Sequence, residues 1–288
     1  MKDYIIYTDS GCDIKPELLR EWGIYSSHLT FRFEDSEKEY TGEDMSSFDF
    51  YEKMRAGGVA KTAAVNSETF KERFEEILKE GKDILYLGFS SGLSTTYNSA
   101  RIAAEELSQV YKENKVITVD TLCASAGEGL LLYLVVQKKN AGATIEEAAA
   151  YAKEIIPYLC HWFTVDDLVY LKRGGRISPA AAFFGNLIGI KPVLHVDDEG
   201  HLVAVSKVRG RRGAIAAMAD KFGETALDKA GGTVFISHGD CLQDAQLLEK
   251  MLSDRYGAKV QIITDVGSVI GAHSGPGTLA LFFVGTNR

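Results

Sequence analysis

Residues 83–100, DILYLGFSSGLSTTYNSA, hold an apolar run, a turn of glycine and serine, and the start of an amphipathic pattern. The run at 83–89 is typical of a buried strand, whereas the apolar residues of 95–113 recur at spacings of three and four, as in a helix. A strand that passes into a helix through a short turn is typical of a βαβ unit. This stretch therefore predicts an α/β fold with a mostly parallel sheet.

The same alternation extends through the first half of the chain. The predicted strands cover residues 4–9, 28–33, 83–89 and 115–120. The predicted helices cover residues 68–81, 95–113, 123–139 and 144–158. Thr144 opens the last helix with Glu147 three residues on, which is the spacing of a capping box. We therefore expect an α/β domain with a mostly parallel sheet over residues 1–162.

From about residue 161 the pattern changes. Residues 191–208 contain two apolar runs joined by Asp-Glu-Gly, which predicts an antiparallel hairpin. The remaining predicted elements are helices at 213–227 and 241–257, and strands at 231–240, 259–267 and 278–285. This mixture predicts an α+β domain over residues 163–288. A chain of two domains is expected to hold its ligand in the cleft between them.

The composition excludes several classes of protein. With 45% hydrophobic and 25% charged residues, the chain is expected to bury a large core. The net charge of −8 and the pI near 5.4 argue against a nucleic-acid partner, since such proteins carry basic surfaces. The apolar stretch at 129–136 is too short to span a bilayer, and the N-terminus has no apolar run of signal-peptide length. We therefore expect a cytoplasmic protein without stable membrane insertion.

The cysteines give no sign of a disulfide or of a metal site. Cys12, Cys123, Cys160 and Cys241 show neither a CxxC pair nor the spacing of zinc ligands. Scattered cysteines of this kind are usually reduced and partly buried. We expect no disulfide, no structural zinc and no other bound metal.

The turn at 88–92 permits two interpretations. GFSSG matches the G-x-S-x-G nucleophile elbow, with Ser90 as the nucleophile, but the chain has few strands and no oxyanion loop before it. Only eight residues separate Asp265 from His273, the possible triad partners. In the second interpretation the turn binds an anion, because the start of a helix presents unpaired amides, and Ser94 is then the expected N-cap. A phosphate-loop NTPase is disfavoured, since no Lys-Ser or Lys-Thr follows the glycines.

Hydroxyl and carboxyl side chains follow several predicted strands. They are Thr8, Asp9, Ser10 and Asp13 after the first strand, and Asp120 and Asp265 after two later strands. In open α/β sheets ligands bind at the carboxyl ends of strands. The same residue types are common in turns and caps, so each fits either a binding or a structural role.

The second half of the chain contains two basic clusters and a histidine that are candidates for a binding site in this acidic protein. KRGGR (172–176) and VRGRRG (208–213) place arginine beside glycine, which suits a carboxylate or phosphate ligand, although a solvated surface is an equal explanation. His273 lies in AHSGPG (272–277), a glycine- and proline-containing loop that favours a binding site.

These motifs together carry a resemblance that covers nearly the whole chain. YTDSGCD, KTAAV, GLSTTYNSA, VDTLCASAGEG, LVYLKRGGRIS, IKPVL, VRGRRGA and AHSGPG occur in the order found in the DegV family of bacterial lipid-binding proteins. The resemblance implies a two-domain fold, α/β then α+β, that binds a long-chain, palmitate-like fatty acid with its acyl chain in an apolar tunnel.

The resemblance also implies which residues hold the head group. The family's carboxylate-binding hydroxyls fall on Thr62 and Ser94, and its arginine and histidine fall on Arg173 or Arg176 and on His273. The candidate ligand-binding residues are therefore Ser10, Thr62, Ser94, Thr95, Arg173, Arg176 and His273.

Some family members are the lipid-presenting subunit of a fatty acid kinase, whose separate subunit phosphorylates the bound carboxylate. The arginine that meets this partner falls on Arg209. The resemblance thus implies a binding protein of lipid transport or fatty acid metabolism, with no catalytic residue or cofactor of its own and with a kinase subunit as a further expected partner. The alternatives are a serine hydrolase acting on acyl esters, with Ser90 or Ser94 and His273, and a small-molecule kinase.

The chain departs from the family pattern beside two of these residues. After Thr62 the usual Ser-Gln-Pro is replaced by Ala63, Ala64 and Val65, and the usual glycine after Ser94 is Thr95. The loss of a polar side chain beside Thr62 is expected to alter the grip on the head group. A β-branched residue at 95 restricts how closely the backbone approaches a ligand.

Overall fold

The computed structural model describes residues 2–177 and 189–288. The strands are β1 (Tyr4–Asp9), β2 (Ile24–Ser27), β3 (Thr30–Phe33), β4 (Ala60–Ala63), β5 (Asp83–Gly88), β6 (Val116–Asp120), β7 (Leu159–Thr164), β8 (Ile190–Val196), β9 (Leu202–Arg209), β10 (Val234–His238), β11 (Val260–Asp265) and β12 (Leu279–Val284). The α-helices are α1 (Pro16–Glu21), α2 (Ser47–Arg55), α3 (Ser67–Lys79), α4 (Thr96–Val110), α5 (Ala126–Asn140), α6 (Ile145–Ile155), α7 (Val169–Arg173), α8 (Arg211–Thr225), α9 (Leu242–Tyr256) and α10 (Ser268–Ser274).

The N-terminal sheet is parallel, as predicted, with the strand order β2-β1-β5-β6. One face carries aromatic residues such as Tyr7 and Tyr86, which pack with Phe70 and Phe74 of α3 and with the small residues of α4. The other face packs against α5 and α6. A parallel sheet covered on both faces explains why these strands are continuous apolar runs.

The C-terminal sheet is mixed, with the order β11-β10-β12-β7-β8-β9. β10 and β11 are parallel, and the other neighbours are antiparallel, including the predicted β8–β9 hairpin. Helices α8 and α9 cover one face through a core that includes Phe222, Leu248 and Phe283. The opposite face, with Phe235 and Phe282, joins the core formed by α5.

Helix α5 lies between the two sheets and belongs to the core of both. Leu130, Leu131 and Leu132 are consecutive and all fully buried, which is the mark of a helix surrounded by protein. Its first turn approaches the C-terminal sheet so closely that a Cβ on Gly127 would lie 2.1 Å from His161 Nε2. The two sheets are therefore held in a fixed relation by one shared helix.

A third, two-stranded sheet of β3 and β4 stands beside these layers. It packs with α2 around Phe31, Phe33 and Phe50. The hydroxyl of Tyr51 in α2 donates a hydrogen bond of 2.8 Å to the carbonyl of Val266, after β11. This contact ties the small sheet, which carries Thr62, to the C-terminal domain.

The predicted elements are found with some changes of extent. The strand predicted at 28–33 is found as β3, but it pairs with β4 in a separate sheet, and β2, the edge strand of the parallel sheet, was not predicted. Leu29 makes this change of sheet, and its amide donates to Ser10 Oγ at 3.0 Å. The helix predicted to reach 158 ends at Ile155, and a 3-10 turn with Pro157 follows. The capping box of Thr144 and Glu147 is confirmed.

The proposed domain boundary can be placed more closely. The division expected between residues 162 and 163 falls inside β7, whose residues pair with both β12 and β8. We propose that the second domain begins at β7, after the 3-10 turn Ile156–Tyr158.

Within the described residues, the structure contains no helix that combines the length and the apolar character of a membrane span. In the same ranges no three acidic, histidine or cysteine side chains cluster so as to hold a metal ion.

The buried carboxyl of Asp13 makes the stability of this fold depend on pH. Burial is the main cause that raises its pKa to about 7. A carboxyl with a raised folded-state pKa stabilises the fold fully below its unfolded value and loses that contribution as the pH rises through about 7. We expect Asp13→Asn to become more stable, relative to wild type, between about pH 5 and about pH 8. Urea unfolding at both pH values measures this difference.

The exposed pair of Lys250 and Asp254 supplies the control, since Asp254→Asn removes a carboxyl without burial. A constant difference between Asp13→Asn and wild type across this range would show that the Asp13 carboxyl ionises as in the unfolded chain.

Candidate ligand-binding cavity

A cavity of about 530 Å³ lies where the strand-to-helix turns of the N-terminal domain meet the C-terminal sheet. Its floor is the inner face of that sheet, in two rows set by strand register. Ala280 pairs with both Phe163 and Ser237, and Phe282 pairs with His161 one row further along. The walls include Leu29, Phe89, Leu93, Leu171, Val266, Val269 and Ile270. The cavity is therefore largely apolar, with polar side chains at particular points.

Thr62 and His273 form a hydrogen-bonded pair at one end of this cavity. Thr62 Oγ1 lies 2.8 Å from His273 Nε2, although the residues are 211 positions apart in the sequence. His273 Nδ1 is buried without a partner in the described chain. A buried N–H without an acceptor is rarer than a buried acceptor without a donor, so we assign the proton to Nε2, which donates to Thr62. The Thr62 hydroxyl is then free to donate to a ligand.

His273 is neutral at physiological pH because of its surroundings. Its ring packs against Gly174, where a Cβ would lie 2.1 Å from Nδ1, so the glycine is needed for this contact. Burial, and then the positive charge of Arg176, lower the pKa of His273 to about 4. The imidazole therefore acts as a hydrogen-bonding group rather than as a cation.

Arg176 supplies the positive charge at the same end. Its guanidinium donates to the carbonyls of Leu93, at 3.2 Å from Nε, and Gly174. Within residues 2–177 and 189–288 it forms no ion pair, and residues 178–188 contain no Asp or Glu. Burial lowers the pKa of Arg176, as expected of a cation without a counter-charge. An anionic group in the cavity would provide that counter-charge.

The turn before α4 brings two further hydroxyls and a helix N-terminus to this end. Ser94 and Thr95 both line the cavity. Ser94 Oγ accepts from the amide of Thr96 at 3.2 Å, but Thr95 occupies the N-cap position, so the prediction of Ser94 as N-cap is wrong by one residue. The first amides of a 15-residue helix lack intrahelical partners, and its dipole favours an anion there.

Ser90 holds the turn to the second domain and is not placed as a nucleophile. Its side chain is fully buried, and its hydroxyl donates to the carbonyl of Gly200 at 2.9 Å, in the loop between β8 and β9. It also accepts from the amide of Gly92 at 3.2 Å. A Cβ on Gly200 would lie 2.1 Å from Ser90 Oγ, so the turn and the loop are in close contact. The resemblance to a nucleophile elbow therefore reflects packing between domains.

Two candidate residues lie away from the cavity wall. Ser10 accepts from the amide of Leu29, and Arg173 stacks at 5.7 Å over the ring of Tyr170. Of the two arginines that the sequence left open, Arg176 is the one in the wall. The structure thus brings together Thr62, Ser94, Thr95, Arg176 and His273.

Several buried polar side chains in the wall were not predicted from the sequence. They are Ser125, His161, Ser237, Ser274 and Thr278. Ser125 donates to the Asp13 carboxylate at 2.5 Å, and both residues have positive φ, 55° and 50°. The one visible signal was a histidine inside the apolar strand LCHWFT (159–164).

Fold and site together define a two-domain α/β protein with an apolar cavity that ends in anion-binding groups. The family model described as "Uncharacterised protein, DegV family" matches residues 4–286. A DegV domain-containing protein of Clostridium perfringens is 40% identical over 289 residues, which cover 100% of this chain and 99% of that protein. The chain belongs to the DegV family.

Solved structures agree with this assignment. A DegV lipid-binding protein from Thermotoga maritima has 32% identity and a TM-score of 0.87, with 99% of each chain covered. A second protein from Thermotoga maritima, described as revealing fatty acid binding function, has 31% identity and a TM-score of 0.85, over 99% of this chain and 100% of that one. DegV from Bacillus subtilis, described as a fatty acid binding protein, has 26% identity and a TM-score of 0.85, over 99% of this chain and 100% of that one.

The electrostatic coupling between Arg176 and His273 can be measured. Because the guanidinium is one cause of the lowered pKa of His273, Arg176→Gln is expected to raise that pKa toward its ordinary value. The imidazole resonances of lipid-free protein, followed by NMR against pH, report the change. Arg173→Gln is the matched control, since Arg173 stacks on Tyr170 instead, and it should leave the titration of His273 in place. Equal shifts in both variants would contradict this assignment.

Proposed function

We propose that this protein binds a long-chain fatty acid of palmitate-like length and serves in lipid transport or fatty acid metabolism. Thr62, Ser94, Arg176 and His273 would surround the carboxylate, with the amides at the start of α4, and the acyl chain would fill the apolar part of the cavity. The observation that carries the proposal is the half-buried cation of Arg176, without a counter-charge in the described chain, at the polar end of an apolar cavity. The fatty acids described for the relatives from Thermotoga maritima and Bacillus subtilis support it.

The physical chemistry of this ligand matches the two parts of the cavity. A carboxylate taken partly out of water needs hydrogen-bond donors, which the hydroxyls, the amides and the guanidinium supply. Each acyl methylene that is buried contributes about 0.8 kcal/mol. The volume of about 530 Å³ lies within the range of small-molecule sites.

The departures at residues 63–65 and 95 act directly on this site. Ala64 and Thr95 line the cavity, whereas Val65 is buried in the aromatic core of the N-terminal domain. In this chain Ala64 therefore lies in the wall two positions after Thr62. Thr95 adds a hydroxyl to those of Thr62 and Ser94. We propose that Thr95 supplements the head-group contacts that the altered segment after Thr62 lacks.

The geometry favours a binding protein over the serine hydrolase. The Ser90 hydroxyl donates to Gly200, and the Ser94 hydroxyl lies 2.9 Å from Thr96 Oγ1. His273 Nε2 is bonded to Thr62 rather than to a serine. A hydrolase needs its nucleophile and base within hydrogen-bond reach of each other. We therefore propose no catalytic residue and no cofactor for this chain.

Loss of a head-group hydroxyl is expected to weaken fatty acid binding. A hydrogen bond to a charged group is worth about 1.5–3 kcal/mol, so Thr62→Val and Ser94→Ala should each lower palmitate affinity roughly 10- to 100-fold. Calorimetry with palmitate on lipid-free protein measures the change, and mass spectrometry of solvent extracts identifies the lipid that wild type retains. Ser10→Ala removes a hydroxyl outside the cavity and should bind like wild type.

The opposite pattern would reject the proposal. If wild type retains no lipid, fails to bind palmitate and hydrolyses acyl esters in a manner that requires Ser90, then the protein is a hydrolase rather than a carrier.

We further propose that the bound acid is presented to a fatty acid kinase subunit, with Arg209 as a contact. Arg209 is exposed at the end of β9, the edge strand of the C-terminal sheet. It does not line the cavity, so it is available to a partner without touching the ligand.

Arg209→Ala is expected to bind palmitate like wild type and to lose most acyl-phosphate formation when a kinase subunit and Mg-ATP are supplied. Arg20→Ala, which removes another exposed arginine far along the chain, serves as the control. Equal activity of the two variants would remove Arg209 from the contact, and weaker palmitate binding by Arg209→Ala would assign it a structural role.

A further inference from the structure

The sheet that forms the floor of the cavity carries polar side chains whose hydrogen bonding a plain acyl chain would leave incomplete. Strand β7 runs toward α7 and Arg176. Measured along the strand, His161 therefore lies three residues, or about 10 Å, further from α7 than Thr164 does. His161, Ser125 and Ser237 all line the cavity, with 2%, 5% and 0% of their surfaces exposed. Ser237 lies in the row of Phe163, one row nearer to Thr164 than His161, so the two polar groups would lie against successive parts of the acyl chain.

His161 presents a hydrogen-bond acceptor to the cavity. Its Nδ1 lies 2.9 Å from the carbonyl of Leu159, which only accepts, so Nδ1 carries the proton and Nε2 is the acceptor. Burial lowers the pKa of His161 to about 3, so the ring stays neutral. In the described chain the donor that reaches Nε2 is the amide of Ala124, at a long 3.4 Å. This acceptor is therefore only weakly used within the protein.

The two serines form a chain of hydrogen bonds that ends at the cavity. Ser125 Oγ donates to Asp13 and lies 2.9 Å from Ser237 Oγ. With Asp13 ionised, the proton of Ser237 must point to Ser125, which leaves the lone pairs of Ser237 without a donor in the described chain. With Asp13 protonated, the chain can reverse and Ser237 donates outward instead. Only a group that both donates and accepts satisfies Ser237 in either state.

We propose that the acyl chain selected by this cavity carries a hydroxyl group part of the way along its length, held by Ser237 or His161. The inference rests on the proposed function and narrows its ligand to the hydroxylated fatty acids. A methylene placed against Ser237 and His161 leaves Nε2 with one long hydrogen bond and the lone pairs of Ser237 without a donor when Asp13 is ionised, whereas a hydroxyl donates to either residue. Both residues contact the segment Ala124–Ser125. His161 Nε2 lies 3.4 Å from the amide of Ala124, and Ser237 Oγ lies 2.9 Å from Ser125 Oγ.

Calorimetry of lipid-free wild type with stearate and with a series of hydroxystearates tests the proposal. A hydroxyl at the matching carbon should bind about tenfold more tightly than stearate, the value of one hydrogen bond gained in a buried site. At about pH 8, where Asp13 is largely ionised, the corresponding ketostearate should stay at the level of stearate, because a ketone does not donate. If no hydroxystearate binds more tightly than stearate, or the ketone binds as tightly as the hydroxyl, the proposal is wrong.

Variants assign the effect to its residues. For Ser237→Ala and His161→Leu the ratio of hydroxystearate affinity to stearate affinity is measured, and in the variant that loses the contact this ratio should fall from about ten to about one. Ser268→Ala removes another buried serine, outside the cavity wall, and should keep the preference. Retention of the preference in both test variants would overturn the assignment. If wild type binds neither stearate nor any hydroxystearate, the proposed function itself fails, and the two failures are thus distinct.

Discussion

The burial of α5 between two sheets is the constraint on which the rest of this structure depends. Its leucines and valines complete the core beneath the parallel sheet and, on the other side, the core beneath the mixed sheet. Because a helix buried on all sides cannot shift without opening both cores, the two domains are fixed to each other. Gly127 and Gly129 permit this closeness, since a Cβ at either position would collide with His161 or with Ile14.

The cavity lies beyond the N-terminal end of α5, where the helix no longer fills the space between the two sheets. The segment Ala124–Ser125, just before the helix, is already part of the cavity wall. There the carboxyl ends of the parallel strands, with their turns and the start of α4, face the inner surface of the mixed sheet. Backbone amides, hydroxyls and an arginine thus meet apolar side chains along one enclosed space. An amphipathic acid is the kind of ligand that such a boundary suits.

This junction also explains the number of buried polar groups. Asp9 accepts hydrogen bonds from Tyr86, Gly11 and Phe89, and burial raises its pKa. Glu128 accepts from Thr8, has one oxygen without a partner in the described chain, and has its pKa raised by the same cause. Burial shifts both carboxyls toward the neutral form, which lowers the cost of burying charge. Through these hydrogen bonds they hold the turns beneath the cavity in place, and neither carboxyl pairs with Arg176.

Local patterns predicted much of the fold but less of the site. Strand and helix periodicity located β1, β5 and β6 of the parallel sheet, the β8–β9 hairpin and the capping box at Thr144, because each depends on neighbouring residues. Strand β2 and the separate sheet of β3 escaped this approach, since β3 pairs with β4, a strand that is distant in the sequence. The choice between Arg173 and Arg176 escaped it as well, because Arg173 is the last residue of α7, whereas Arg176 follows Gly175, where the backbone turns with a positive φ.

The amino-acid sequence by itself determined the two-domain architecture, the apolar character of α5 and the presence of hydroxyls beside the start of α4. Only the tertiary structure decided that Ser90 fastens a loop, that Arg176 lies without a counter-charge among the described residues, and that Thr62 meets His273 across 211 positions. The reason is physical. Secondary structure follows from interactions within a few residues, whereas a binding site is a convergence of distant segments that exists only when both cores have closed around α5.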